Sequence, residues 1–238
     1  MKKVLTFAAL ACAGMSVATP AMAEESEKAV SLELGADVVS SYIWRGQNLG
    51  AFSVQPSVTV TFNKANVSLG AWASAELFST GASVNMREFD LSLSWSPIEP
   101  LSVTLTDYYF CSANYFSAWT WNSASAHTLE ATVAYDLGFL SASWNTVVAG
   151  VDHKADGKRA YSTYVELAAP YKLGGVEGAV TVGASLWDDA YTQAGTDGFK
   201  VINVGLSASK EVFKLPFTAS VITNPYTDKV YFVVGVSF

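Results

Sequence analysis

The last ten residues, KVYFVVGVSF, place the tightest constraint on what this chain can fold into. Val230, Phe232, Val234, Val236 and Phe238 occupy alternate positions and all are apolar, while Tyr231, Val233, Gly235 and Ser237 form a partly polar set between them. A period of two gives a β-strand one apolar face. The strand runs to the final carboxylate, with an aromatic residue in last place. At the edge of an open sheet such a strand would be a template for pairing with other chains. A closed barrel removes the edge, because the first strand pairs with the last.

The opposite end, MKKVLTFAALACAGMSVATPAMA, reads as a secretory signal peptide. Lys2 and Lys3 give a basic start, Val4 to Ala13 an apolar segment too short to cross a bilayer, and Ala21-Met22-Ala23 a cleavage site of small residues. A lipoprotein signal acylated at Cys12 is the rival reading, and Ala9-Leu10-Ala11 resembles the residues before such a cysteine poorly. The expected organisation is a signal at 1–23 and one barrel domain at 24–238. Cleavage removes Lys2 and Lys3 and no acidic residue, so the formal net charge moves from −7 to −9. An acidic chain without a basic run argues against a nucleic-acid partner. Cys111 alone survives cleavage, which excludes an intrachain disulfide. Half of the residues are hydrophobic, yet no apolar run after the signal is long enough for a membrane helix. A membrane barrel reconciles the two, because its signal per strand is weak. A secreted β-sandwich is the alternative.

The same alternation recurs along the chain, giving about twelve strands, an even number as single-chain bacterial barrels require. The first is expected over 31–45, with Leu32, Leu34, Ala36 and Val38 on one face and Glu33, Gly35, Asp37 and Ser41 on the other. Tight turns are expected at Asn63–Asn66, Ser96–Pro100, Asp136–Gly138, Leu173–Gly175 and Lys210–Leu215. Longer connections are expected at 47–51, 78–85, 112–125, 152–159 and 188–198. Short and long connections thus alternate, as in a barrel with periplasmic turns, extracellular loops and both termini on the periplasmic side. A sandwich has no reason to produce this asymmetry. In the strand at 101–110, Leu101, Val103 and Leu105 set a phase that puts Asp107 on the apolar face unless a bulge intervenes.

The terminal strand resembles the closing strand of bacterial outer-membrane β-barrels, and that resemblance implies that the barrel-assembly machinery reads Phe238 as an insertion signal. The end of the first strand reads SSYIWRGQ, with Ser40, Tyr42, Arg45 and Gly46 in the spacing S-x-Y-x-x-R-G. This resembles the opening strand of the TorF family of porins, whose members also have a signal peptide, a similar length and a barrel ending on Phe. The close match is confined to this stretch. Where the family continues with Ser and Gln, this chain has Asn48-Leu49-Gly50. The resemblance implies a porin-like diffusion channel.

Asp37, Glu76, Glu88, Asp90, Glu130 and Glu166 fall on the polar faces of strands whose other face is apolar, and Arg45 falls on the same face of the first strand. Carboxylates lining a narrow passage concentrate negative potential and favour cations. The rival is a polar core in which these charges pair with Arg45, Tyr164 and water. A barrel of about eight strands is filled by its side chains and one of about sixteen holds an aqueous channel, so twelve does not decide by width. The aromatic run from Tyr108 through Tyr109, Phe110, Tyr115, Phe116 and Trp119 to Trp121 suits either a stacking platform for flat solutes or an interfacial girdle. His127 near Ser123 and Ser125 has the residue types of a nucleophile and its base, with no Asp or Asn at a telling position to complete them. His153 with Asp152 and Asp156 lacks the spacing of a metal loop and reads as solvated. Lys154, Lys158 and Arg159 suit lipopolysaccharide phosphates.

The resulting expectation is an all-β, closed antiparallel transmembrane barrel in the bacterial outer membrane. It would pass small hydrophilic solutes by passive diffusion and lean towards cations. The alternatives are an outer-membrane lipid-modifying hydrolase and a non-conducting structural or adhesive barrel. The chain is expected not to be an enzyme and to need no cofactor or metal. Its expected partners are outer-membrane lipid and lipopolysaccharide, the barrel-assembly machinery and the solutes themselves.

Overall fold

Alternation carries the chain as strands through the described residues, which are 29–79, 83–111, 126–154, 156–187, 190–192 and 198–238 in the computed structural model, and no helix occurs among them. The signal peptide, residues 24–28 and the whole of the expected loop at 112–125 lie outside them. In chain order the strands are β1 (Val30–Val39), β2 (Tyr42–Trp44), β3 (Gln47–Gly50), β4 (Ser53–Phe62), β5 (Val67–Ser79), β6 (Ser83–Ile98) and β7 (Leu101–Phe110). They continue as β8 (His127–Asp136), β9 (Ser141–Gly150), β10 (Thr163–Leu173), β11 (Val176–Ser185), β12 (Lys200–Val212), β13 (Leu215–Asn224) and β14 (Lys229–Ser237). All but β2 and β3 form one closed antiparallel barrel of twelve strands, with β4 beside β1 and β14 closing on β1. The sandwich is thereby excluded.

The closing seam is short. Asp37, Val38 and Val39 pair with Ser237, Val236 and Gly235, and Phe238 and Ala36 exchange both backbone hydrogen bonds at 3.0 and 3.3 Å. At the upper end of the seam the Ser40 hydroxyl accepts the Val234 N–H at 3.0 Å, while the Ser40 N–H donates to the Val234 carbonyl at 2.9 Å. The first strand ends there rather than at 45: the chain leaves the wall after Val39, and β2 and β3 pair only with each other.

Tight turns follow β4, β6, β8, β10 and β12, as expected. At the other end the expected loop over 78–85 is much shorter, because β5 and β6 run on to pair Ser79 with Ser83. That pair also bulges between Ser74 and Ala75, so Glu88 opposes Ser74 while Met86 opposes Ala75. The extra residue reverses the faces: Met86 stands half exposed outside and Glu88 is buried inside.

The two faces differ as the alternation predicts. Leu34, Leu69, Leu93, Val133, Leu167, Val182 and Val234 are exposed on the outer face, and Phe232 reaches 76 % exposure. Inside lie Gln55, Ser74, Thr104, Thr132, Asn145, Asn203 and Ser220, all buried. The apolar core is also inside the barrel: Tyr164, Tyr191 and Ile202 pack together with Trp44 and Tyr226 against them.

Candidate functional site: a hairpin inside the barrel

β2 and β3 are joined by a two-residue turn, Arg45-Gly46, with φ of 49° and 74°. Positive φ at both central residues is the turn geometry that matches the twist of paired strands. The turn folds into the barrel rather than away from it. Tyr42 and Ile43 are each only 1 % exposed. The Tyr42 hydroxyl donates to Glu88 Oε2 at 2.9 Å, and the Tyr42 ring packs on Trp72 with centroids 5.5 Å apart. Trp44 packs on Tyr108 and Tyr191 at 5.6 and 5.9 Å.

Arg45 crosses to the far wall. Its two terminal nitrogens donate to the two oxygens of Glu130 at 2.6 and 2.8 Å, a bidentate fork. It also donates to the Tyr191 hydroxyl. The guanidinium carbon lies 4.4, 4.7 and 5.5 Å from the ring centroids of Trp44, Tyr164 and Tyr191, within cation–π range. Gly46 comes closest to the wall. A Cβ there would stand 1.9 Å from the Ile202 carbonyl oxygen, which only glycine avoids. Its own carbonyl accepts Asn224 Nδ2 at 3.2 Å.

Every position of the S-x-Y-x-x-R-G spacing therefore has a part in the inward fold. Ser40 caps the closing strand, Tyr42 and Arg45 fasten the hairpin to β6 and β8, and Gly46 permits the contact at its tip.

The six expected carboxylates all face the interior, which the register and burial show strand by strand. They do not form a uniform ring. Asp37 is half-buried, opposite Gln55. Glu76 pairs with Arg87, the residue that the β6 bulge inserts between its outer and inner neighbours. Glu88 and Glu130 hold the hairpin, Glu130 also accepting the Tyr108 hydroxyl at 3.0 Å. Glu166 accepts the Tyr164 hydroxyl and Asn203 Nδ2. Asp90 is buried, and its Oδ1 has no hydrogen-bond partner among the described residues.

Three corrections follow. Arg45 faces the interior from a turn and not from the first strand. Tyr108 belongs to the wall and points inward, so it is part of neither a loop nor a girdle; Tyr115, Phe116, Trp119 and Trp121 lie outside the described residues. The partners of the carboxylates are largely phenol hydroxyls, because a buried carboxylate needs hydrogen-bond donors and these need not be cations. Tyr42, Tyr108 and Tyr164 supply them; Tyr164 is the partner expected from the sequence, while Tyr42 and Tyr108 were not. Gly183 makes room for one: a Cβ there would lie 1.9 Å from the Tyr164 hydroxyl oxygen.

Asp107 keeps its phase without a bulge, paired between Leu91 and Leu129 on the outer face. His127 answers it from β8: Nδ1 lies 3.0 Å from both Asp107 oxygens. Both are buried, at 7 % and 0 % exposure. The acidic partner that His127 lacked in the sequence thus comes from the adjacent strand. Ser123 and Ser125 lie outside the described residues. His153 is exposed, as expected, and bridges to Arg159, and Asp156 pairs with Lys158 at the surface; Asp152 beside them is buried and accepts the Ser162 N–H and hydroxyl.

A scan against models of known protein families finds no match, and a search of the curated proteins finds none either.

Proposed function

We propose that this chain is an outer-membrane channel for the passive diffusion of small hydrophilic solutes, narrowed by the inward hairpin and leaning towards cations. The observation that carries this reading is a closed barrel with an apolar exterior and an interior bearing Asp37, Glu76, Glu88, Asp90, Glu130 and Glu166. A closed barrel satisfies its backbone internally, which is what a β-structure crossing lipid requires. The resemblance at Ser40, Tyr42, Arg45 and Gly46 to the TorF family supports the same reading. In this orientation the tight turns and Phe238 face the periplasm, where the assembly machinery would read the terminal residue. Lys154, Lys158 and Arg159 would meet lipopolysaccharide at the opposite end.

Liposomes carrying the refolded protein should swell in small neutral solutes and stop swelling as solute size rises. Inserted protein that admits none of them would favour the structural barrel. The membrane part of the reading has its own test. Val182→Arg puts a guanidinium at mid-strand on the outer face, a change that costs about 2–4 kcal/mol in a bilayer. The variant should lose most of its heat-modifiable band after electrophoresis without boiling; a band as strong as wild type would contradict a lipid contact at that face.

A second reading, a lipid-modifying hydrolase, is favoured by one observation: the Asp107–His127 pair on the outer face. A carboxylate on Nδ1 fixes the tautomer and orientation of a general base. If this reading holds, reconstituted protein should release fatty acid from phospholipid and His127→Ala should abolish it. Under the channel reading no such activity exists and His127→Ala leaves solute flux unchanged.

A further inference from the structure

Resting on the channel reading, we propose that the chamber around Arg45 is a binding site for guanidinium-bearing solutes, of which the Arg45 side chain is the resident occupant. The receptor is made mostly by the barrel wall and not by the hairpin. Glu130 comes from β8, Tyr108 from β7, Tyr164 from β10, and Tyr191 from the connection between β11 and β12. Only Trp44 travels with the hairpin. The wall thus presents a carboxylate with both oxygens turned to one fork, and ring faces of Tyr164 and Tyr191 at 4.7 and 5.5 Å from its carbon. That combination selects a planar, delocalised, weakly hydrated cation over a compact ammonium.

One observation makes Arg45 a replaceable occupant. The hairpin shares no ladder with the barrel: β2 and β3 form a separate two-stranded sheet of three residue pairs with a register shift. Such a sheet is marginal alone, so the hairpin is held in place by side chains and the Gly46 contact. A solute with a free guanidinium would take the same fork and ring faces without being tied to the hairpin. Its entry would withdraw the hairpin, so the solute that binds would also widen the passage.

The test uses ethylguanidinium, with ethylammonium at equal ionic strength as control. In a planar bilayer, ethylguanidinium at low millimolar concentration should raise the potassium current of the wild-type protein with saturation. Its half-saturating concentration should be about tenfold lower than that of ethylammonium. Arg45→Ala in detergent should gain heat stability saturably from ethylguanidinium, and Arg45→Ala with Glu130→Gln should not. Equal responses to the two cations, or a response that survives Glu130→Gln, would overturn the site. If Arg45→Ala does not fold, the wild-type current decides alone. A channel that conducts but ignores ethylguanidinium refutes this inference and leaves the channel reading intact. Binding to Arg45→Ala in a barrel that never conducts refutes the channel and leaves the receptor.

Discussion

Glu130→Ala should cost the folded barrel about 3–5 kcal/mol, the loss expected when one member of a buried ion pair is removed and the other stays. The pair is well enclosed: the side chains of Arg45 and Glu130 are 9 % and 1 % exposed. The variant would leave the guanidinium with the Tyr191 hydroxyl and ring faces, and would remove the acceptor of the Tyr108 hydroxyl. The comparison is Glu177→Ala, which breaks an ion pair with Lys172 whose members are 42 % and 51 % exposed. Exposed pairs contribute about 0–1 kcal/mol because water screens them and long side chains lose entropy. Urea titrations of the two variants in detergent should therefore differ clearly in midpoint. Equal midpoints would mean that Arg45 is not held as described.

Gly46→Val should empty the interior without breaking the wall. Valine at a φ of 74° is strained, and its Cβ would fall 1.9 Å from the Ile202 carbonyl oxygen. That oxygen belongs to β12, at the bulge residue between the pairs Val201–Ala184 and Asn203–Gly183, and these flanking pairs with β11 hold the wall more firmly than anything holds the hairpin tip. The hairpin should back out while the twelve-strand register stays, since none of its ladders includes residue 46. Two readouts follow. Limited trypsin digestion of the refolded variant should cleave after Arg45, where wild type is protected, and the fragments identify the cut by mass. Single-channel current should also exceed wild type. Protection of Arg45 in the variant would contradict the inward placement of the tip.

The exterior of this barrel was legible in the sequence because one rule governs it. Strands with one face on an apolar surround must alternate, and Leu32 to Val38 or Val230 to Phe238 show the period directly. The interior was legible only as polarity. Residues Ser40 to Arg45 break the alternation, with Ser40 on the apolar face and Ile43 on the polar one, and a first strand drawn over 31–45 runs across that break although the chain leaves the wall after Val39. The available signal was local: Arg45-Gly46 between the β-prone Tyr42-Ile43-Trp44 and Gln47-Asn48-Leu49 is a two-residue hairpin pattern. Bulges hid the rest. Arg87 became a partner of Glu76 because one extra residue in β6 shifted the phase, and a single sequence does not mark where that residue sits. Asp107 illustrates the reverse case. Its phase was readable, but its His127 partner depended on the register between β7 and β8.

The reversal potential of the protein in a planar bilayer under a KCl gradient tests the central claim most directly, measured with and without residues 42–50. An interior with six inward carboxylates should give a cation-directed potential in both forms, with Arg45 engaged by Glu130 in the one and removed with the hairpin in the other. Salt near 1 M should weaken it, since the screening length falls to about 3 Å. Removing the hairpin should raise the current while keeping the sign. An anion-directed potential, or no current from inserted protein even without the hairpin, would contradict the account.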